Sequence, residues 1–508
     1  MPVSRRTLLS AGAAAAAAVA LPHGASPAVA AGTRAGLPVE GAAWRALRRA
    51  LSPAAQLLTG CAPVDNQRYA YPPPLREIVC QNEHDVQVAV QWCLVEGVPF
   101  RLRSGGHNYA GYSTVPDGVV ICLGERMHWL HKDGQRLHVG GGSTNSDVYD
   151  NRGLGLYFPG GRCPTVGVAG LTLGGGLGFN DRKWGLTCDR LVETRLVLAD
   201  STLVRATENE NADLFWACRG GAGGNFGVNT SFVFDAVPVA QLRATVFDLT
   251  FPLDVAVPVV QELQHLLDTD HTHDLDVRIG FKHARDGKAF LWVLGQRLGP
   301  EATLRRLFRG LLALHPTSEF IEERGFWEAQ DHLLDVPEDR ECYTSKSLVP
   351  DRWLTADALT AITEWTRGWD PGKARADGYV TLFAMGGASA EPAPHDTAYP
   401  HRGAKFVIDI GSRWAPGASE EESEAALRQT RQVYRTLRTL LGTDAAYVNF
   451  PDPELVDWQH AYYGGNYERL VKVKNKYDPD NRFRYPQSIG TPELLTSPRP
   501  ARAASAPR

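Results

Sequence analysis

The chain lacks the features that would place it in several large protein classes. Its 53 lysines and arginines do not outnumber its 57 aspartates and glutamates, so the net charge of −4 offers no basic field for a nucleic-acid backbone. It has no apolar helical span of the kind that makes a membrane protein. None of its eight cysteines forms a Cys-x-x-Cys pair, so a zinc or iron–sulfur site is not expected, and no metal-ligand set accompanies its glycine clusters. It also lacks a clean Rossmann fingerprint, because "GGGLGF" does not open a helix within a βαβ unit followed by an acid about twenty residues on. What survives these exclusions is a globular protein with a small-molecule partner.

At 508 residues the chain is too long for one compact core, and two domains or more are expected. Residues 4–21, "SRRTLLSAGAAAAAAVAL", place Arg5 and Arg6 before a mild alanine-rich run, and "AVA" at 28–30 has the small-residue pattern of a cleavage site. This resembles a twin-arginine export signal, a route that carries folded proteins; a low-complexity N-terminus is the plainer alternative. Outside the cell disulfides become possible, but spacing alone does not assign them.

From Asn82 the pattern is helical, with Asn82 as N-cap, Asp85 three residues later and Val86, Val90, Cys93 and Leu94 on one stripe up to Gly97. "VPFRLR" then reads as a strand, followed by strands at 118–123 and 135–141 and a hairpin in "ETRLVLADSTLVRA". From about residue 241 glycine thins, and strands such as "ATVFDLTF", "LDVRIGF", "AFLWVLGQ", "YVTLFAMGG" and "KFVIDI" alternate with helical stretches at 254–267, 301–314 and 419–441. That predicts an α+β domain with an antiparallel sheet.

Three glycine-rich clusters precede that change: "RSGGHNYAGYS" at 103–113, "PGGRCPTVGVAGLTLGGGLG" at 159–178 and "RGGAGGNFGV" at 219–228. Glycine lets backbone N–H groups approach a ligand with no Cβ in the way, which is how phosphates are commonly cradled. His107 stands in the first cluster and Cys163 in the second.

These stretches, with "GRCPTVGVAGLTLGGGLGFNDRKWGLTCD", "DLFWACRGGAGGNFGV" and the closing "YYGGNYERLVKVKNKYDPDNRFRYPQSI", closely resemble the berberine bridge enzyme-like oxidases of the vanillyl-alcohol-oxidase superfamily, from about residue 69 to 490. The resemblance implies an α+β fold: a PCMH-type FAD-binding domain of two α/β subdomains (31–240) and a substrate domain of antiparallel sheet flanked by helices (241–444). A segment at 445–495 would return to the FAD domain, between a signal at 1–30 and a disordered tail at 496–508. It further implies FAD held bicovalently, with His107 on the 8α-methyl carbon and Cys163 on C6 of the ring. Seven thiols would then remain, so at least one could not pair within the chain.

By the same resemblance, Ser104, Gly105 and Gly106 cradle the pyrophosphate, Gly170, Gly174 and Gly175 approach the rest of the cofactor, and Gly227 and Val228 serve the adenine side. Arg103, Asn108 and Gly167 complete the cofactor set, and Val166 occupies the position that sets access of O2 to the reduced flavin. "YVNFPDPEL" matches Tyr447 to the family's catalytic tyrosine, with Phe450 in place of a later tyrosine. A free phenol titrates at about 10, so Tyr447 would need a nearby cation or carboxylate to act as a base at neutral pH. "HRGAKFVIDIGSRW" supplies a second catalytic group, Asp409 counted back from Trp414 or Ile410 counted forward from His401. Tyr109 matches a site tyrosine, whereas Leu177 stands where plant members place tyrosine.

The implied activity is oxidation of a secondary alcohol or hemiacetal, on a sugar, glycoside or polycyclic natural product, with O2 as acceptor and H2O2 as product. An oxidative cyclase or dehydrogenase, or a drug-binding resistance protein that has lost turnover, are the alternatives. The expected protein is secreted, without membrane or nucleic-acid partners in its mature form, and homo-oligomerisation is left open.

Overall fold

The computed structural model describes residues 41–60, 64–336 and 339–490. The expected export signal and C-terminal tail therefore lie outside the described residues. The architecture is α+β, built on three sheets.

The first sheet contains β1 (Gln56–Leu58), β2 (Arg76–Cys80), β3 (Phe100–Arg103) and β4 (Val119–Leu123) in the order β1-β2-β4-β3. β4 runs parallel to both β2 and β3. The connection from β2 to β3 is the helix Glu83–Val95, whose first turn is closed by the Asn82 side chain accepting from the Asp85 N–H at 2.9 Å. Val86, Ala89, Val90 and Cys93 of that helix pack on Ile78, Val119 and Ile121 of the sheet. Loops at the carboxyl ends of such parallel strands are where α/β folds place ligands, and the "SGGH" turn leaves the carboxyl end of β3.

The second sheet is antiparallel, with β5 (Leu130–Asp133), β6 (Arg136–Gly140), β8 (Leu191–Val197), β9 (Leu203–Thr207) and β10 (Val228–Asp235) in the order β5-β6-β10-β8-β9. A short ribbon of β7 (Leu156–Tyr157) and β11 (Val237–Pro238) lies beside it. The C-terminal segment packs into the core of this region: Tyr462, Tyr463, Leu470 and Val471 share a cluster with Leu173, Phe215 and Trp216.

The third sheet is a seven-stranded antiparallel one. β12 (Arg243–Pro252), β13 (Leu275–His283), β14 (Ala289–Leu298), β15 (Ser318–Gly325), β16 (Cys342–Leu348), β17 (Asp377–Ala384) and β18 (Phe406–Trp414) stand in the order β15-β12-β14-β13-β17-β18-β16. Helices Ala256–Thr269, Ala356–Arg367 and Glu420–Leu441 cover one face, burying Phe406, Ile408 and Ile410 of β18 among their leucines and valines. Full burial of each such side chain contributes about 1.5–3 kcal/mol. Because strand side chains alternate, Val407, Asp409, Gly411 and Arg413 point to the opposite face, toward the glycine loops. β15 and β16, the two edges of the sheet, were not expected from the sequence; both are polar, as edge strands commonly are.

Candidate functional site

The site begins where two glycine loops touch. A Cβ on Gly105 would lie 2.2 Å from the Gly167 nitrogen and 2.7 Å from the Thr165 carbonyl, so only glycine lets the backbones meet this closely. Ser104 adds a hydrogen bond from its hydroxyl to the Gly141 carbonyl at 3.0 Å. The contact brings His107 and Cys163, far apart in sequence, to one place: Nε2 of His107 is 2.8 Å from the Thr165 hydroxyl, and Sγ of Cys163 is 3.8 Å from it. On the other side of the ring, Nδ1 of His107 is 3.5 Å from Oδ2 of Asp65, which also accepts a hydrogen bond from the Tyr343 hydroxyl at 2.9 Å. Burial holds the imidazole below its ordinary pKa, against the opposing pull of Asp65. Burial pushes the Cys163 thiol up, with Thr165 opposing.

Both residues open onto a cavity of 590 Å³. Its wall includes Arg103, Ser104, Gly105, Gly106, Asn108, Val166, Gly167, Gly170, Gly227 and Val228. Asn108 spends its side-chain oxygen on the turn itself, accepting from the N–H groups of Ala110 and Tyr112. Val166 is anchored through its main chain, the N–H donating to the Cys163 carbonyl and the carbonyl accepting from Asn145. The hydroxyls of Tyr112 and Ser113 are buried at the wall of this cavity without a hydrogen-bond partner. Bare glycine backbone beside waiting hydroxyl groups is a surface that fits the polar parts of FAD.

Gly174 and Gly175 lie against the 447–449 segment and Tyr399. They are not part of the cavity wall. A Cβ on Gly174 would lie 2.1 Å from Oδ1 of Asn449, and Gly175, at φ +125°, passes under Tyr399 and Tyr447. These glycines make room for the 447–449 segment.

The cavity continues over the third sheet. There Asp409 lies across from Thr381 and Ser347, and its carboxylate accepts a 2.6 Å hydrogen bond from Ser345. Ile410 is fully buried in the helix-covered core, so of the two readings of this strand only Asp409 reaches the cavity. Burial pushes the Asp409 carboxyl up to about 6, with Ser345, Arg413 and Tyr379 opposing. Tyr379 crosses β18 where a Cβ on Gly411 would sit 2.3 Å from its hydroxyl. Tyr109 stacks on Phe450 at 5.2 Å and meets Tyr343 edge-on at 5.0 Å. Burial raises the Tyr109 phenol and Asp409 raises it further.

Tyr447 also faces the cavity, but its surroundings differ from expectation. Its hydroxyl accepts from the Gly176 N–H at 2.8 Å and from Nδ2 of Asn449 at 3.1 Å, which are N–H donors rather than a cation or carboxylate. Burial raises this phenol and outweighs the two donors. Leu177 lines the cavity nearby.

The sequence reading missed Thr165, Tyr343, Tyr379, Ser345 and Arg413. Thr165 lies two residues beyond Cys163 inside a quoted motif, and Arg413 shares strand parity with Asp409. Arg413 was within reach once the phase of β18 was known.

A family profile described as "FAD binding domain" matches residues 74–207, and one described as "Berberine and berberine like" matches residues 446–490. The uncharacterized FAD-linked oxidoreductase YgaK of Bacillus subtilis (strain 168) is 34% identical over 426 residues, covering 81% of this chain and 90% of that protein. Monolignol oxidoreductase AtBBE-like 13 of Arabidopsis thaliana is 28% identical, covering 84% and 86%. Among solved structures, wild-type BBE-like 1 of Physcomitrella patens superposes with a TM-score of 0.77 at 26% identity, covering 88% of this chain and 98% of that one.

Proposed function

Since the chain belongs to the berberine bridge enzyme-like FAD-linked oxidoreductases, with their PCMH-type FAD-binding fold, we propose that it is an oxidase of a secondary alcohol or hemiacetal, giving a ketone or lactone. In this reading His107 and Cys163 hold FAD covalently. Their convergence on the Thr165 hydroxyl, at the wall of a cavity that runs on to Asp409, is the observation that carries it. When bound, FAD supplies the acceptor for the substrate hydride and returns the electrons to O2 as H2O2. Val166 sets how O2 enters.

The protein's own part is to seat the carbinol and move its proton. An acceptor works best with a pKa near the working pH, and Asp409, at about 6, is ionised at neutral pH and still basic enough to take the hydroxyl proton. Tyr109 and Tyr379 border it. Tyr447, whose oxygen already accepts two N–H groups, keeps its proton and offers it to the substrate oxygen, which is a change of role from base to donor. The aromatic walls of Tyr109, Phe383 and Phe450 exclude water from this exchange. Export through the Arg5–Arg6 signal would deliver a folded, cofactor-loaded enzyme.

The test is to mix the purified holoprotein anaerobically with sugars, glycosides and hydroxylated polycyclic compounds, follow flavin bleaching, then admit O2 and measure peroxide. Bleaching by an alcohol with stoichiometric peroxide is expected. Absence of bleaching by every alcohol overturns the oxidase reading.

A further inference from the structure

Asp409 sits between two hydroxyl-bearing side chains on the strands to either side of it. Ser345 on β16 and Tyr379 on β17 both stand opposite Gly411, so each is a diagonal neighbour of Asp409 on the cavity face of the sheet. Ser345 shows that this diagonal closes, since its hydroxyl donates to the carboxylate at 2.6 Å. Tyr379 comes to the same place by crossing over Gly411: a Cβ there would lie 2.3 Å from the phenol oxygen and 2.4 Å from the ring carbon that bears it. Only glycine admits the hydroxyl at this point of β18, with Asp409 and Arg413 each two residues, about 7 Å of strand, to either side. The Arg413 guanidinium lies 5.5 Å from the centroid of the Tyr379 ring.

A phenol has one proton to give and lone pairs with which to accept. The Tyr379 hydroxyl is buried, and among the described residues no group holds it at close range. Burial raises the phenol; of its two charged neighbours Asp409 raises it further and Arg413 opposes, as befits a hydroxyl that keeps its proton between an anion and a cation. The other charges nearby are engaged elsewhere. Lys282, opposite Tyr379 on β13, pairs with Asp377 at 3.5 Å, and Asp335, which acts on Arg413, pairs with Arg162 at 3.0 Å. Tyr109, the other phenol beside Asp409, is stacked on Phe450. Resting on the reading of Asp409 as proton acceptor, we propose that Tyr379 is its positioning residue: the hydroxyl donates to the Asp409 carboxylate and accepts from Arg413, so that the charge of the arginine reaches the acceptor through the phenol. The carboxylate is thereby held ionised against the burial that favours its neutral form. Tyr379 makes and breaks no bond to carbon, and the proton taken from the substrate stays on Asp409.

The pH profile of kcat in the holoprotein tests this. Tyr379→Phe should move the acidic limb up from about pH 6 by about one pH unit, the worth of a hydrogen bond to a charged group. The rate lost at the acid end should return by about pH 8, where the carboxyl is ionised again, whereas a purely structural role for the ring would lower the rate at every pH. Arg413→Met should move the limb the same way, and Arg413→Lys, which keeps the charge, should move it less. If the charge acts through the phenol, the double variant Tyr379→Phe, Arg413→Met moves the limb no further than the larger of the two single shifts. A limb left in place by Tyr379→Phe, or single shifts that add, would overturn the proposal. Thermal unfolding gives a readout free of turnover. An acid whose pKa is raised in the fold loses stabilisation as pH rises, so a still higher pKa in Tyr379→Phe enlarges the fall in Tm between pH 4 and pH 8 by about 1–2 °C. Asp409→Asn should abolish that extra fall. If no alcohol bleaches the flavin, the oxidase reading falls, and the Tm comparison alone still decides whether Tyr379 holds Asp409: an equal fall in wild type and Tyr379→Phe overturns it.

Discussion

Nε2 of His107 stands 2.8 Å from the hydroxyl of Thr165, and that hydroxyl is in turn 3.8 Å from Sγ of Cys163. One small side chain thus borders both groups read as flavin attachment points, although they come from loops 56 residues apart in sequence. Two attachments to one cofactor are chemically redundant for retention. Removing either should therefore leave the other. His107→Ala and Cys163→Ala are each expected to keep flavin colour in acid-precipitated protein, while the double variant releases it to the supernatant. Release from either single variant would contradict bicovalent attachment.

The Asp409 carboxyl, at about 6, makes two predictions of opposite sign. As the proton acceptor, its replacement in Asp409→Asn should lower kcat by about 10²–10⁴-fold and remove an acidic limb near pH 6 from the wild-type pH profile. For stability the sign reverses. An acid whose folded pKa lies above its unfolded value favours the folded state below about pH 4, and that advantage is lost as pH rises through 6. Ionised Asp409 therefore costs the fold up to about 3 kcal/mol at neutral pH. Asp409→Asn should raise Tm relative to wild type at pH 7 and lose that gain at pH 4.

Tyr447 separates the two candidates for the proton. Tyr447→Phe removes the acceptor of the Gly176 N–H and of Asn449 Nδ2, which should cost about 1–3 kcal/mol of stability. If Asp409 takes the proton, kcat in Tyr447→Phe falls far less than in Asp409→Asn, and the pH 6 limb remains. A loss of that limb in the Phe variant would return the base to Tyr447.

How much of this could be read from the sequence depended on the kind of residue. The apolar strands and the helix capped by Asn82 were legible because burial imposes periodicity, and the glycine motifs were legible because their order is specific. β15 and β16 escaped because edge strands such as "EFIEER" and "CYTSKSL" carry polar residues for which no core periodicity exists. The same polarity hid Tyr343 and Ser345, which earn their place only when β16 is laid beside β18. Gly174 and Gly175 show the converse: a glycine makes room for close approach, but the sequence does not say that Asn449 and Tyr447 are among the groups that approach.

Val166 offers a check that leaves substrate oxidation aside. Its side chain lines the cavity while its main chain is fixed by Cys163 and Asn145, so a larger side chain narrows the passage without moving the loop. Val166→Leu should slow reoxidation by O2 in stopped-flow experiments while anaerobic reduction and turnover with an artificial acceptor stay close to wild type. Equal O2 rates would remove Val166 from the oxygen path.

Gly105 tests whether the approach of the two loops is what builds the attachment site. A Cβ there would sit 2.2 Å from the Gly167 nitrogen and 2.7 Å from the Thr165 carbonyl, both main-chain atoms that cannot swing aside as a side chain could. Gly105→Ala must therefore push the 104–108 loop away from 163–167, at a cost of about 1–3 kcal/mol for overpacking. That shift parts His107 from Thr165 and Cys163 at once. Flavin content should fall in this variant by more than in either single attachment variant, because both links lose their geometry together. Gly403→Ala, in an exposed turn where an added Cβ meets nothing within 4 Å, controls for the general effect of losing a glycine and should keep its flavin. Full bicovalent loading in Gly105→Ala would mean that the close contact of the loops is incidental to holding the cofactor.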